Sequence, residues 1–406
     1  MKILSVVGAR PNFVKVAPLL AEMRRYPDLR SVLVHTGQHS DEAMSDCFLR
    51  ELQIPPPDFV LEGAAARAVS PAEAMAKAIA PILRRERPDA VLVVGDVNST
   101  LAGALAAARL GIPVAHVEAG LRSFDRSMPE ETNRVLTDSV SSLLFASEPS
   151  AVRNLLAEGQ PAGRIFLTGN VMIDSLRRWC AQAGRSAILA RLGLLGGGGA
   201  ARPYVLVTLH RPATVDAPAV LRGVWEALGA VSERAPVVFP VHPRTQARLG
   251  ELGLEGALEG GGTGGGIRVL PPLPYLEFLH LESRAALAIT DSGGVQEETT
   301  AFGVPCLTAR PNTERPVTLT EGTNQLVGLD PRHILGAALR ILSGEVKPGR
   351  LPRLWDGRSA GHIVRVLHSH LSVQAPPFAG ADSPSLFPCL TLPAPSLPPP
   401  LPAGAR

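Results

Sequence analysis

The sequence predicts an α/β fold made of two Rossmann-like domains that face a central cleft. Short runs of Val, Ile and Leu alternate with segments of helical periodicity, as is typical of parallel sheets covered by helices on both faces. This alternation restarts after about residue 170. A chain of 406 residues is also too long for one ordinary core, so two domains are expected.

The elements follow in order along the chain. In the first half, apolar runs predict strands at 3–7, 31–35, 90–94, 112–117, 143–146 and 165–167, separated by helical patterns at 14–25, 41–52, 71–87, 101–110 and from 130 onward. In the second half, strands are predicted at 204–209, 236–241, 267–270 and 286–290. We therefore expect one domain over 1–170 and a second over 171–358.

Three segments do not fit this pattern. The glycine-rich stretches 196–199 and 260–266 lie between predicted elements and are expected to be flexible surface insertions. The segment 373–406 is rich in Pro, Ala and Ser, a composition that cannot bury a core, and a disordered or polyproline-like tail is expected. The alternative for this tail is a proline motif that binds a partner domain.

Composition excludes several classes of protein. Lys and Arg total 40 against 37 Asp and Glu, a near balance that disfavours a general nucleic-acid or membrane surface. The four cysteines are widely spaced, without a CxxC pair, so neither a zinc site nor a disulfide framework is indicated. The first apolar run is too short for a signal peptide, and a cytoplasmic location is expected.

The segment 116–134 concentrates acidic and basic side chains directly after an apolar strand. In open α/β sheets, ligands bind beyond the carboxyl ends of the strands, which places Glu118 at the mouth of the cleft. Pro129 followed by Glu130 and Glu131 is typical of the first turn of a helix. The alternative is a loop followed by an ordinary acidic helix start.

Two cations follow the first strand. Arg10 and Lys15 lie where a strand, a turn and a helix offer backbone N–H groups, an arrangement suited to a diphosphate. The alternative is ordinary surface charge. The turn matches neither GxGxxG nor a P-loop, so an enzyme that uses nicotinamide or a nucleoside triphosphate is disfavoured.

Three further residues come at predicted strand ends. Asp96 follows the strand 90–94, and His210 and His242 end two strands of the second half. A lone histidine is more often structural, but two at strand ends facing one cleft favour function. For the turn at Asp96, the alternative is capping of the next helix by Asn98 or Ser99.

The run 291–298 indicates a nucleotide site in the second half. Gly293 and Gly294 expose N–H groups at a helix start after the strand 286–290, and Glu298 lies where a carboxylate can bind both ribose hydroxyls. Arg310 and Arg315 add positive charge after the next short strand. Phosphate donors in both halves, with carboxylates between them, suggest a nucleotide sugar.

These strings together resemble the non-hydrolysing UDP-N-acetylglucosamine 2-epimerases over about residues 1–365. The shared strings are GARPNFVKVAP, HTGQH, the turn at Asp96, HVEAGLRSFDRSMPEETNR, TLHR, PVHPR, TDSGGVQEE, GVPCL and TERP. The resemblance implies the two-domain fold of the B-type glycosyltransferases, with a C-terminal helix at about 359–372 that crosses back to the first domain. It also implies a homodimer, although the residues themselves indicate no oligomeric state.

The resemblance implies reversible C2 epimerisation of UDP-N-acetylglucosamine to UDP-N-acetylmannosamine, through elimination of UDP to 2-acetamidoglucal and its re-addition. No NAD or metal is implied. The catalytic residues would be Asp96, Glu118, Glu130 and His210. The substrate would be bound by Arg10, Lys15, His242, Phe278, Ser292, Gly293, Gly294, Glu298 and Arg315. Because a C–H acid beside an acetal carbon is weak, the base needs a raised pKa, which clustered carboxylates in a closed cleft can produce.

The chain departs from the family pattern near His210. Many members carry a Glu and an Asn where this sequence has Ala213 and Thr214, and some carry a Gln at the position of Leu273. In some bacterial members a second substrate molecule activates the enzyme through residues that match Gln38, His39, Arg211 and His242. The Ala213 difference puts that activating site in question.

Three alternative functions are weighed against this one. A UDP-sugar glycosyltransferase of the same fold needs an acceptor groove and few carboxylates around the sugar, and the acidic 118–131 segment disfavours it. A hydrolysing epimerase would release free N-acetylmannosamine, but the PEExNR string resembles the non-hydrolysing type. A sensor without activity is disfavoured because Asp96, Glu118, Glu130 and His210 are all present.

Overall fold

Two parallel sheets organise the part of the chain that the computed structural model describes, residues 1–37, 42–61, 70–254 and 266–374. The first sheet has the order β3-β2-β1-β4-β5-β6-β7. Its strands are β1 (Lys2–Val7), β2 (Arg30–His35), β3 (Phe59–Val60), β4 (Ala90–Val94), β5 (Val114–Val117), β6 (Leu143–Ala146) and β7 (Ile165–Leu167). Its helices are α1 (Arg10–Met23), α2 (Glu42–Glu51), α3 (Pro71–Glu86), α4 (Asn98–Arg109), α5 (Pro129–Val140) and α6 (Pro149–Ala157), with a 3-10 turn at Ala162–Arg164.

The second sheet has the order β10-β9-β8-β11-β12-β13. Its strands are β8 (Val205–Thr208), β9 (Val237–Pro240), β10 (Ile267–Leu270), β11 (Leu287–Thr290), β12 (Cys306–Thr308) and β13 (Asn324–Leu326). The remaining helices of the described chain are α7 (Val171–Ala183), α8 (Ile188–Arg191), α9 (Pro212–Val215), α10 (Pro218–Ser232), α11 (Pro243–Glu251), α12 (Tyr275–Arg284), α13 (Gly293–Phe302), α14 (Pro316–Thr320), α15 (Pro331–Leu342) and α16 (Ser359–Gln374). The predicted α/β class is confirmed.

Each sheet reverses its strand order at one point. In the first sheet β1 pairs with both β2 and β4, with Val6 opposite Val93. In the second, β8 pairs with both β9 and β11, with Val207 opposite Ile289. A crevice forms at such a reversal, beyond the carboxyl ends of the strands. Helices cover both faces of such a sheet, so its central strands are apolar throughout. Strand β4 is accordingly buried along its whole length.

Helix α1 begins four residues before the predicted start. Pro11 lies in the first turn, where its fixed φ suits a helix and its missing N–H is not needed. The side chain of Asn12 ties this turn to the sheet: its Oδ1 accepts from the backbone N of Gly8 at 3.1 Å, and its Nδ2 donates to the carbonyl of Val94 at 2.9 Å. The turn that carries Arg10 is therefore fixed to β4.

Helix α16 packs on α1 of the first half and runs to Gln374, two residues beyond the expected end. Ile363, Val364 and Leu367 are fully buried in the same apolar cluster as Val16 and Leu20 of α1. The amino end of α16 is capped by Asp174 of α7, whose carboxylate accepts from the backbone N of Ser359 at 3.2 Å and of Ala360 at 2.8 Å. The predicted tail beyond residue 374 lies outside the described residues.

Two smaller predictions have different outcomes. The stretch 196–199 lies between α8 and β8, as expected for an insertion, whereas residues 260–265 are outside the described ranges. Capping of α4 by Asn98 or Ser99 is wrong, because Val97 is the N-cap residue and no side chain caps the helix. Within the described ranges, each helix is too short or too polar to cross a membrane.

Candidate active site

The loops after β1, β4 and β5 of the first sheet meet loops after β8, β11 and β12 of the second. The contact between them is direct: Arg315 Nη2 of the second half donates to Glu118 Oε1 of the first at 2.7 Å. Parallel strands end at one edge of a sheet, so each sheet presents its loops on one side. The predicted residues from both halves therefore border one cleft.

Glu118 lies at the centre of this cleft with its side chain 4% exposed. Its backbone has a φ of +74°, a conformation that residues with a Cβ rarely adopt. The carboxylate lies between two cations, with Lys15 Nζ on Oε2 and Arg315 Nη2 on Oε1.

Asp96 follows β4 and a glycine, Gly95, with a φ of +70°. Arg134 Nη2 donates to its Oδ2 at 2.5 Å. Burial disfavours the charge on Asp96, but the cations Arg134, Lys15 and Arg315 outweigh burial and hold the pKa of Asp96 below its ordinary value. Asp96 is therefore ionised, in contrast to the raised pKa expected for a base.

A buried histidine fixes the turn before Asp96. His116 Nε2 lies 2.8 Å from the carbonyl oxygen of Gly95, and its Nδ1 lies 2.6 Å from Asp138 Oδ1. Asp138 also accepts from Arg122 Nη2 at 2.7 Å. This part of the acidic segment has a structural role, since it orients the turn rather than lining the cleft.

The two glutamates of PEExNR have different surroundings. Glu131 accepts from the backbone N of Ser123 and of Phe124, each at 2.9 Å, and from Arg134 Nη1 at 2.7 Å. It thereby shapes the 122–124 loop. The side chain of Glu130 is 37% exposed, and its Oε1 lies 3.7 Å from Arg211 Nη1. Of the two, Glu130 is the one free to meet a substrate.

Glu314 and Glu297 were not predicted, and both are buried beside Arg315. Burial opposes ionisation of Glu314, but Arg315, Arg134, Arg310 and Arg211 hold its pKa well below the ordinary value. Burial raises the pKa of Glu297 to about 7, although Arg315 opposes the shift. Arg315 Nε lies 2.8 Å from Glu297 Oε1 without the alignment of a hydrogen bond.

His210 lies two residues beyond the end of β8 and pairs with Asp291, which follows β11. His210 Nδ1 lies 3.1 Å from Asp291 Oδ1, and the backbone N of His210 and of Arg211 also donates to this carboxylate. The ring of His242 lies 6.2 Å from that of His210 between centroids. Asp291 therefore orients the imidazole of His210 and leaves Nε2 for the cleft, a role that sequence analysis did not assign.

The turn at Ser292 begins α13, with Gly293 and Gly294 in its first turn. A Cβ on Gly293 would lie 2.4 Å from Arg315 Nη1, so this position admits only glycine while Arg315 keeps its place. Glu298, one and a half turns further, accepts from the hydroxyl of Tyr275 at 3.0 Å. Burial raises the pKa of Glu298 to about 7 and that of the neighbouring Glu282 well above its ordinary value.

Three further predicted residues, Arg10, Phe278 and His242, lie within the described ranges. Arg10 is in the first turn of α1, with its guanidinium 5.6 Å from the ring centre of Phe48. Phe278 is half-buried on α12. His242 is the N-cap of α11, and its Nδ1 accepts from the backbone N of Arg244 at 3.2 Å. Gln38 and His39 lie outside the described residues, and across the described ranges His, Cys, Asp and Glu form no group of three suited to a metal ion.

The sequence matches the family model described as UDP-N-acetylglucosamine 2-epimerase over residues 21–368. A protein of Methanococcus maripaludis named UDP-N-acetylglucosamine 2-epimerase is 39% identical over 373 residues, which cover 90% of this chain and 98% of that protein. A UDP-2,3-diacetamido-2,3-dideoxy-D-glucuronate 2-epimerase of Pseudomonas aeruginosa is 44% identical over 331 residues, which cover 81% and 88%.

Solved structures show the same similarity. The crystal structure of Methanocaldococcus jannaschii UDP-GlcNAc 2-epimerase in complex with UDP-GlcNAc and UDP superposes with a TM-score of 0.82 at 39% identity, covering 91% of this chain and 100% of that chain. The agreement extends over both sheets, so the two-domain B-type glycosyltransferase-like fold is confirmed.

Proposed function

We infer the function of this chain from its family, since it belongs to the UDP-N-acetylglucosamine 2-epimerases. It interconverts UDP-N-acetylglucosamine and UDP-N-acetylmannosamine. The observation that carries this proposal is Glu118, a carboxylate held between Lys15 of one half and Arg315 of the other. A base thereby lies beside two cations that suit a diphosphate.

Epimerisation requires a proton to leave one face of C2 and another to arrive at the opposite face. We propose that a carboxylate of the cleft removes the C2 proton while the C1–O bond breaks, so that UDP leaves and 2-acetamidoglucal remains. Addition of UDP to C1, with delivery of a proton to the other face of C2, completes the exchange. Atoms and charges balance without an oxidant, so the proposed reaction does not require NAD.

The ion pairs of Glu118 support it as the base. Lys15 and Arg315 each contact one oxygen of its carboxylate, and a bound diphosphate would compete for the same two cations. Substrate binding would thus release the Glu118 carboxylate from its two ion pairs, and the released cations would stabilise the departing UDP.

Three other groups complete the proposed acid and base set. Asp96 follows β4 and Glu130 lies in the first turn of α5, in the same half as Glu118, and His210 faces them from the second half with its ring oriented by Asp291. A residue that delivers a proton to the second face of C2 has to lie across the sugar from the base. The carboxylates of the first half and the imidazole of His210 in the second half would meet that requirement.

We place UDP on the second half. The turn 292–294 offers N–H groups at the start of α13 for phosphate. Arg10 and Arg315 are the proposed cationic ligands of the diphosphate, and Phe278 is the proposed contact of the uracil ring. Glu298 is the proposed ribose ligand, held by the Tyr275 hydroxyl.

Proton NMR of UDP-N-acetylglucosamine in D2O tests the reaction. Deuterium should enter at C2 as the N-acetylmannosamine signals grow, without added NAD. Transfer of the sugar to an acceptor with no label at C2 would establish a glycosyltransferase, and stoichiometric UDP with free N-acetylmannosamine would establish the hydrolysing reaction. Faster labelling of UDP-2,3-diacetamido-2,3-dideoxy-D-glucuronate, the sugar named for the Pseudomonas relative, would reassign the substrate.

An activating site for a second substrate molecule is a separate proposal. Arg211 and His242 flank His210, which supports a site beside the cleft, whereas Ala213 and Thr214 replace the family's Glu and Asn. A sigmoidal dependence of rate on substrate concentration would support this site, and a hyperbolic one would exclude it. We also expect the protein to be a cytoplasmic homodimer. Light scattering measures the mass of the assembly in solution.

A further inference from the structure

A groove of about 850 Å³ lies on the first half between α1, α7 and the start of α16. Its lining shares no residue with the cleft. On α1 it begins at Pro18, eight residues beyond Arg10, or about 12 Å along the helix. A volume of this size is typical of pockets that hold a ligand as large as a nucleotide.

Positive charge dominates the groove, whose lining contains five arginines: Arg25, Arg177, Arg178, Arg358 and Arg365. Of its two carboxylates, one pairs with a single groove arginine and the other caps a helix. Glu22 pairs with Arg25 at 3.0 Å, and Asp174 caps α16 through the backbone N of Ser359 and Ala360. Among the described residues, no carboxylate lies within ion-pair distance of the other four arginines.

Two of these arginines, both exposed, make contacts that restrict their side chains. A Cβ on Gly357 would lie 2.5 Å from Arg177 Cδ, so the stem of Arg177 packs directly on this glycine, whose φ is +77°. Arg178 lies over the ring of Trp179 at 5.2 Å and donates to Gln53 Oε1 at 3.5 Å. Such contacts lower the entropic cost of ordering these side chains when a ligand binds.

We propose that this groove binds a small anion that carries two adjacent phosphate groups. Like charges gathered in one groove repel each other, and a multiply charged anion relieves that repulsion. Guanidinium groups bind phosphate oxygens in a bidentate, charge-assisted manner. The rest of the chain is nearly balanced, with 40 basic and 37 acidic side chains, so the cluster is local rather than general. The proposal is independent of the reaction in the cleft.

Equilibrium dialysis of the full chain with labelled pyrophosphate tests the groove, with UDP present to fill the cleft. Labelled UDP is dialysed in parallel to count its own sites. We expect one pyrophosphate per chain that UDP does not displace. Arg177→Gln and Arg358→Gln should each weaken it at least about tenfold, the value of one charge-assisted hydrogen bond. Arg332→Gln is the matched control, because Arg332 is exposed on α15 and pairs with Asp330.

The outcomes separate the sources of the diphosphate. Two UDP molecules per chain, one of them lost in Arg177→Gln, would make a nucleoside diphosphate the occupant. Displacement of pyrophosphate by UDP when only one UDP binds per chain, or binding that both groove variants leave unchanged while their melting temperatures match the wild type, would overturn the proposal.

Discussion

Glu118 and Glu298 separate chemistry from nucleotide binding at the scale of single residues. Glu118→Gln keeps the shape of the side chain but cannot accept a proton, so turnover should fall on the order of 10²-fold or more. Glu298→Ala should chiefly weaken UDP binding and raise KM, because a ribose contact is made equally in ground and transition states.

Steady-state kinetics and calorimetric titration with UDP measure the two effects. The exposed Glu233→Gln serves as the control. Normal UDP binding in Glu298→Ala, together with retained turnover and lost UDP binding in Glu118→Gln, would show that the two roles are wrongly assigned.

Glu148 should make stability depend on pH. It is buried at the end of β6, and burial raises its pKa to about 7, above the value of about 4.3 in an unfolded chain. The folded state therefore holds a proton that the unfolded chain releases. The stability due to this proton is fully present below about pH 4 and is lost as pH rises through about 7.

Melting curves between pH 5 and 8 measure this effect. Glu148→Gln stays neutral, so its melting temperature should fall less with pH than that of the wild type or of Glu233→Gln. Parallel curves for all three proteins would contradict the shift. Glu297, whose pKa is also raised to about 7, should keep part of the slope in the variant.

The site residues that sequence analysis found are those that directly follow strands. Asp96, Glu118 and His210 each come within two residues of a strand end, and this position is visible from the apolar pattern alone. Glu314 was missed because its importance depends on Arg134, 180 residues earlier in the chain, which reaches it only when the two halves meet. Glu297 was overlooked beside Glu298, since helix position alone does not say which carboxylate faces Arg315.

At the scale of elements, α16 should stabilise the first half strongly. Leu367 is fully buried against α1, and Leu→Ala substitutions at such sites cost about 2–5 kcal/mol. Leu367→Ala should therefore lower the free energy of unfolding by that amount in urea titrations. Arg365→Ala, exposed on the same helix, should change it by less than about 0.5 kcal/mol. Equal effects of the two substitutions would show that α16 does not pack as described.

Apolar strands were predictable, including β7 with three residues, whereas β3 and β13 were not predicted. β4 matches its predicted range of 90–94, because a strand buried on both faces is apolar at each position. β3 has two residues and β13 three, too few to show any period. The start of α1 was also misplaced, because Asn12 and Pro11 begin the helix through local hydrogen bonding rather than through apolar periodicity.

Across the whole molecule, Glu314 holds the two halves together electrostatically. It is fully buried and accepts from Arg310 Nη2 at 2.8 Å, and its Oε1 lies 3.6 Å from Arg134 Nη2 of the first half. Removal of one member of a buried ion pair costs about 3–5 kcal/mol. Glu314→Gln should lower the free energy of unfolding by that much.

Chemical denaturation measures this loss. Glu321→Gln is the control, because its pair with the exposed Arg350 at 3.2 Å should contribute no more than about 1 kcal/mol. A Glu314→Gln variant as stable as this control would show that the cleft network adds nothing to stability.

Truncation after Gln374 should leave the melting temperature and turnover unchanged. The segment that it removes lacks apolar periodicity, so it cannot offset the entropy of ordering, and the family match ends at residue 368. Thermal melts and C2 exchange rates measure both properties. A loss of more than about 1 kcal/mol would show that the tail packs on the protein.

The docking of α16 on α1 has a consequence for biosynthesis. The two helices stand at opposite ends of the chain, yet they share one apolar cluster. A ribosome adds about 5–20 residues per second, so α1 waits on the order of 20 to 70 seconds for its partner. During that interval the nascent first half exposes the apolar surface that α16 will cover, which makes it a substrate for chaperones throughout the translation of the second half.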